Sequence, residues 1–579
     1  MITATAVLAA VLAASSQEAR PSDGGAPTDA IRFTDVTATS GIDLVTTSGT
    51  PPLTTILEVK GGGLALLDYD SDGDLDLFAP NGATLADPEK GPGARLFRND
   101  GGLRFTDVTA TSGIAHRRWS FGTAVGDVDG DGHDDLFIAC FGPNVLLRNR
   151  GDGTFEDITA RAGVGDPAWA TSAAFADLDL DGDLDLFVCN YLAFDPAQPL
   201  PPASFKGMPV LAGPRGYAPA PDRVYENRGD GTFVDRSVES GIAAGPARFA
   251  LNVAILDFTG DGRPDILVGN DSQANALWTA PRGEPAPWRF TDEGLRSGIA
   301  VNGEGGEQAT MGMAVADVDG NGRPDVFTTN FSSDTNTLHL NLDGRSFDDR
   351  TNQFGLGAPS RTLVGWGAAF ADLDHDGDED LLSVNGHVYP QATKSLMDSD
   401  WAQRPLLMER RGRRFAPLAK AGAWPLAPRV DRTLVVADLD GDGDLDAVVA
   451  GLNEPLQVLR NDHDRGDDWL VVVPRDSRPG IGNRHATGVE VIVRAGDVVQ
   501  RRWLPGGGPF QSNLPPELHF GLPNGLDADA GPVDLEVRFA DGARLERPGV
   551  ARGSRVTVDR AEAIPPGGGG AENDATPSP

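Results

Sequence analysis

From Phe33 onward the chain is a succession of short apolar runs separated by Gly-, Asp- and Asn-containing turns. Leu184-Asp185-Leu186-Phe187-Val188 is typical, and a run of this length between turn signals reads as a β-strand. A different strand leads into each acidic turn. Three residues before the turn stand Ala65, Ala124, Ala174, Ala254, Ala314, Ala369 and Val435. Five before it stand Gly63, Gly122, Ser172, Asn252, Gly312, Gly367 and Thr433. Residues two apart share one face of a strand, so each entering strand carries small side chains on one side, as a crowded central axis requires.

Two further strands complete the unit. A hairpin signal such as Asn149-Arg150-Gly151-Asp152-Gly153-Thr154 links a third run to a strand that opens on Phe. The phrase Phe33 to Ile42 returns almost verbatim at Phe105 to Ile114, with looser copies from Phe155, Phe233, Phe290, Phe347 and Phe415. Acidic turns begin 59, 50, 80, 60, 55 and 66 residues apart. Four-stranded repeats of that length predict an all-β fold, a seven-bladed β-propeller over residues 33–463. The last repeat lacks a Phe strand and the one at Phe33 is left over, so pairing the two would close the ring and remove both open edges.

The acidic turn carries the candidate chemistry. Its nine positions place Asp at 1 and 9 and Gly at 6 in all seven copies. First positions are Asp68, Asp127, Asp177, Asp257, Asp317, Asp372 and Asp438; third positions are Asp70, Asp129, Asp179, Thr259, Asp319, Asp374 and Asp440. Fifth positions are Asp72, Asp131, Asp181, Asp261, Asn321, Asp376 and Asp442; ninth positions are Asp76, Asp135, Asp185, Asp265, Asp325, Asp380 and Asp446. The seventh residue would add a backbone carbonyl: Asp74, His133, Asp183, Arg263, Arg323, Asp378 or Asp444. Oxygen donors of this number in a flexible loop suit Ca2+, up to seven ions, rather than octahedral Mg2+. These are not EF-hands, because position 12 is not acidic and a strand follows instead of a helix. Zinc is disfavoured: His133 and His375 are the histidines near the loops, and their positions read as backbone or solvent residues. A merely solvated acidic turn would not need Gly and Asp at fixed offsets seven times.

Net charge is −36, and 26 acids lie at loop positions 1, 3, 5 and 9, so much of the acidity is metal chemistry. Such a surface argues against a nucleic-acid partner. Cys140 and Cys189 are the two cysteines and form no disulfide framework. Residues 1–16 begin with an Ala-rich apolar run of signal-peptide length, too short to span a bilayer, and 17–32 read as a linker. A monomer that is secreted, periplasmic or held at the cell surface is expected.

After His463 the repeat stops. Strands are predicted over Trp469–Val473, Val489–Arg494, Val498–Trp503, Leu518–Leu522, Val533–Phe539 and Arg555–Val558, giving a small β-sandwich-like domain over 464–560. Residues 561–579 read as a disordered tail. The longest connections leave the rim opposite the acidic loops. Residues 191–222 hold Tyr191, Phe194, Phe205 and Tyr217, and 386–405 hold His387, Tyr389 and Trp401. Long loops on a rigid scaffold are the usual place for binding residues, although these aromatics could equally pack their own loops.

The Asp loops, set in Ala-x-x-Asp and Asp-Leu-x-x-x-Asn frames, resemble FG-GAP/VCBS repeats, known from the integrin α-subunit propeller. Trp469 to Val473, Gly482 to Val489, Gly508 to Ser512 and Leu518 to Leu522 resemble the ASPIC/UnbV domain. The order of the two parts resembles the cartilage acidic protein 1 family. It departs from that pattern at Phe539-Ala540-Asp541-Gly542, where members often read Trp-Pro-Ser-Gly. The resemblance implies a secreted calcium-binding propeller without an agreed enzymatic activity. Neither a zinc-protease His-Glu pair nor a phosphate-binding Gly-Lys-Ser/Thr loop occurs. The expected role is a non-catalytic binding or adhesion module for an extracellular protein or glycan. The alternative is an extracellular carbohydrate-active lyase or hydrolase using the loop-rich rim.

Overall fold

A computed structural model describes residues 31–281, 288–424, 426–463, 466–523 and 531–566. The expected leader therefore lies outside the described residues.

The all-β prediction holds, with seven four-stranded antiparallel sheets before residue 463. Sheet three shows the pattern. Ala170–Ala176 runs into the acidic loop, Asp185–Asn190 leaves it, and Arg223–Asn227 and Phe233–Asp235 follow in spatial order. In sheet seven Asp431–Ala437, Asp446–Gly451 and Gln457–Asn461 are completed by Phe33–Asp35, with Phe33 opposite Asn461 and Asp35 opposite Leu459. Neighbouring sheets share apolar cores all round the ring. Leu66 and Phe97 of sheet one pack with Val435 and Val458 of sheet seven, and Phe78 packs with Leu136 and Ile138 of sheet two. Both faces of each second strand are thus covered. Asp185–Asn190 is buried at every residue, which is why these strands read as continuous apolar runs.

Three details escaped the sequence. The Phe strand is followed in several sheets by a single helical turn, as in Thr159–Ala162, closed by a left-handed glycine (Gly163, φ 80°). In the C-terminal domain one sheet holds Leu518–Gly521, Trp469–Arg475 and Ser554–Asp559, the other Val498–Trp503, Glu490–Ala495, Val533–Arg538 and Arg544–Val550. Arg544–Val550 was not predicted. It is polar and holds Pro548, which an edge strand tolerates because no ladder partner is lost on its outer side. The tail boundary is corrected as well. Arg544 and Ile564 exchange two backbone hydrogen bonds (3.1 and 2.8 Å), so the domain extends past residue 560, and of the expected tail residues 567–579 lie outside the description.

The two domains interpenetrate. Residues 505–515 leave the C-terminal domain and enter the centre of the ring. Gly506 and Gly507 pair with Ile255 and Ala254 of sheet four, making a fifth strand there. At the tip Phe510 is buried against Trp366, ring centroids 4.9 Å apart. Leu64 donates to Ser512 Oγ (2.9 Å), Thr433 Oγ1 donates to the Phe510 carbonyl (2.8 Å), and Asn252 Nδ2 donates to the Gly508 carbonyl (2.9 Å). Small residues five positions before the loops let the inserted segment and the neighbouring first strands approach this closely. A Cβ on Gly63 would collide with the Gln511 carbonyl, and one on Gly312 with the Trp366 carbonyl. From the other side the segment around Leu57–Val59 closes the channel, packing with Trp119, Trp169 and Trp366. The channel is therefore blocked from both sides.

Candidate functional site

Each acidic loop is built by its own hydrogen bonds. In all seven the glycine N–H at position 6 donates to the carboxylate at position 1, over 2.7–3.1 Å. The N–H at position 7 donates to the side chain at position 5, whether Asp181 (3.0 Å) or Asn321 (2.9 Å). Position 9 anchors the loop to the sheet: Asp185 accepts from Leu178 through one oxygen and from Asn227 on the third strand through the other, both at 2.9 Å. Asn227 then reaches back with Nδ2 to the Val128 carbonyl of the neighbouring loop (2.9 Å). Asn99, Asn149, Asn341 and Asn461 make the same reach to Leu439, Tyr69, Phe258 and Leu373, and Arg410 does so to Val318. Sequence reasoning passed over these asparagines as hairpin residues. Their fixed place just before the turn was the available signal.

What these bonds leave over is a socket for a hard cation. Every loop retains a buried oxygen with no hydrogen-bond partner: on Asp70, Asp129, Asp177, Thr259, Asp317, Asp372 and Asp440. In loops one, two, three and five the carboxylates of positions 1, 3 and 9 converge, as in Asp177, Asp179 and Asp185; in the sixth Asp372, Asp374 and Asp376 do so. Position 5 is the exposed member, with one oxygen given to the turn. Burial pushes the ninth-position acids upward, Asp76 and Asp325 to about 8 and Asp185, Asp380 and Asp446 well above the usual carboxylate range. A bound cation reverses that bias by favouring the charged form. The donor set is all oxygen, so these residues fit a hard divalent ion.

The C-terminal domain sits on this rim. Asn483 donates its N–H to the Gly182 carbonyl (2.9 Å), and Arg484 Nε lies 3.0 Å from Asp127 Oδ2. Gly521 presses on loop six so closely that a Cβ there would stand 2.6 Å from His375 Cα. Loop two is distinctive because Arg148 pairs with both Asp129 and Asp131. His375 is not the solvent residue expected; it is 1% exposed beneath this domain.

On the opposite rim the aromatic residues divide. Tyr191 and His387 are 0% exposed and Phe194 is buried, which corrects their placement on an open ligand face. Tyr191 hydroxyl donates to Asp271 (2.5 Å), which also accepts from Lys60 Nζ (3.0 Å). Burial opposes the charge on both partners; the Lys60 ammonium and the Tyr191 hydrogen bond nevertheless hold Asp271 below its usual range, and burial lowers Lys60. Arg432, equally buried, stacks over Trp366 at 4.1 Å and donates to the carbonyls of Val59, Gly386 and His387. The two long inserts meet. The hairpin Ala203–Phe205 and Met208–Val210 is fastened to 386–405 by Phe205 against Tyr389 (5.3 Å) and by Lys206 on the Met397 carbonyl (3.0 Å). Tyr217, Tyr389 and Trp401 keep partial exposure.

An FG-GAP-like repeat model matches residues 68–138, 127–188, 210–268 and 317–383, and an ASPIC and UnbV model matches 480–565. The chain carries FG-GAP-like repeats followed by an ASPIC and UnbV domain. The channel-filling segment 505–515 thus lies inside the ASPIC and UnbV match. Human cartilage acidic protein 1 is 25% identical over 344 residues, 58% of this chain and 40% of that protein. The mouse protein is 26% identical over 364 residues, covering 54% and 53%. The FG-GAP-repeat chain thus spans about half the length of the curated relatives it matches. Among solved structures, the β-propeller domain of Myceliophthora thermophila Cps50 (Swd1) aligns with TM-score 0.38 at 9% identity, over 72% of this chain and 98% of that one. An Agrocybe aegerita lectin that recognises non-reducing terminal N-acetylglucosamine aligns with TM-score 0.37 at 16% identity, over 67% and 88%. Among the described residues, no helix is long and apolar enough to cross a membrane.

Proposed function

We propose that this protein is an exported, calcium-loaded propeller that acts as a non-catalytic binding module for an extracellular protein or glycan. The observation that carries the reading is the unpartnered buried oxygen in each of the seven loops. Carboxylates gathered around it repel one another until a cation arrives, and an all-oxygen, partly solvent-open site matches calcium better than magnesium. The likeness to cartilage acidic protein 1 supports an extracellular setting. The acidic rim is occupied by the ASPIC and UnbV domain, which leaves the roof formed by the two long inserts as the face for a partner. Tyr217, Tyr389 and Trp401 are its partly exposed aromatics.

The test is capture from protein and glycan arrays by the calcium-loaded chain, repeated with Tyr217→Ser and Trp401→Ser. Capture should fall in both variants while the melting temperature of the loaded protein stays close to that of the parent. Capture that persists in the double variant would remove the roof as the binding face.

A further inference from the structure

Three of the eight histidines in the chain meet in one place, although they are 88 and 56 residues apart in sequence. His375 comes from position 4 of loop six, His463 from the join between the domains, and His519 from Leu518–Gly521 of the C-terminal domain. The His375 ring neighbours both of the others, its centroid 5.3 Å from that of His463 and 5.2 Å from that of His519. A carboxylate completes the group: Asp444 Oδ1 of loop seven is 3.5 Å from His375 Nε2. His375 and Asp444 are both buried.

The arrangement of His519 favours a metal over simple ring packing. Its Nε2 is 2.8 Å from the Gly443 carbonyl, which can only accept, so Nε2 carries the proton. The lone pair of the neutral ring is therefore on Nδ1, and Nδ1 is buried without a hydrogen-bond partner. A metal-ligating histidine characteristically donates its other ring N–H to a carbonyl in this way. Two imidazoles on one tetrahedral ion, each with its ring centre roughly 3 Å from the metal, would stand near the spacing that His375 keeps to each of the other two rings. Calcium does not choose such donors, whereas imidazole nitrogen with one carboxylate suits zinc and its neighbours in the transition series.

We propose that His375, His463 and His519, with Asp444, bind one zinc-type cation at the seam where the C-terminal domain meets loops six and seven. The ion would join four separate segments and fasten the domain onto the propeller rim. Its donors are mainly nitrogen, so it differs from the acidic loops in the ion it prefers, although His375 and Asp444 belong to loops six and seven.

Cobalt(II) is the probe. The tag-free full chain, saturated with calcium, is titrated with Co2+ and followed by its visible ligand-field absorption. One equivalent should bind with the intense band of a nitrogen-ligated, low-coordinate ion, and zinc but not millimolar calcium or magnesium should displace it. His463→Gln and His519→Gln should each weaken binding by roughly 10–100-fold or more, while His133→Gln and His485→Gln leave it unchanged. Calcium-dependent melting reports whether each variant folds. If His519→Gln fails that check, His463→Gln, at the half-buried join, decides alone. Absence of the band at stoichiometric cobalt, or binding undiminished in His463→Gln, would overturn the proposal.

Discussion

The two rims of the propeller are built by opposite strategies. The acidic rim repeats one nine-residue device seven times, each held by bonds within a few residues, and six of them also receive one reach from a neighbouring sheet. The insert rim repeats nothing. Lys60, Tyr191, Asp271, His387 and Arg432 come from five distant segments and form a buried polar cluster found once. A repeated device spreads its stability over many small equal contributions. A single cluster concentrates it, so one substitution there should weigh as much as several on the other rim.

The largest expected effect is removal of the cations. Ligand binding stabilises the native state by RT ln(1 + [L]/Kd), roughly 1.4 kcal/mol per site at ten times Kd, so seven independent sites could contribute on the order of 10 kcal/mol. Chelation should lower the melting temperature steeply and magnesium should restore little. A melting curve that ignores chelator would break the comparison at its root.

Next comes the insert rim. Lys60→Met leaves Asp271 charged and buried with only neutral partners, and should cost about 3–5 kcal/mol whether or not calcium is present. A loss that appeared only in chelator would mean that the two rims are not energetically separate. Phe510→Ala probes the segment between them and should cost about 3–5 kcal/mol through the cavity beside Trp366. Urea unfolding measures both.

The smallest effect sharpens the roles inside one loop. Asp72 spends one oxygen on the turn, and Asn321 does the same in loop five, so Asp72→Asn should be tolerated. Asp70 holds the unpartnered oxygen, and Asp70→Asn should remove most of one site's share, up to roughly 1.4 kcal/mol. Isothermal titration with calcium separates the two; equal losses would show that position 3 has no special place.

The same contrast explains what could be read in advance. Strand, loop and repeat were legible because their causes lie close along the chain: Gly182 turns the loop, Asp177 receives its N–H, and Asp185 opens the next strand. The unpaired Phe33 strand was legible too, since a ring of repeats with one spare strand has one natural mate for it. Tyr191 and His387 misled because an aromatic residue in a long loop has the same sequence signature whether it faces solvent or folds back over the channel. Gly508 to Ser512 was visible as a phrase of the C-terminal domain, but nothing local to it says that it fills the ring against Gly63, Trp366 and Thr433.

By itself the sequence determined the repeated unit, the all-β class and the positions of the loop oxygens that could hold a cation, because hydrogen bonds that span two to nine residues depend only on neighbours in the chain. Only the tertiary structure decided that a C-terminal segment plugs the axis, that two inserts roof the far rim, and that His375, His463 and His519 converge. Those contacts depend on how one rigid body seats on another, and that fit is set by surfaces assembled from the whole ring.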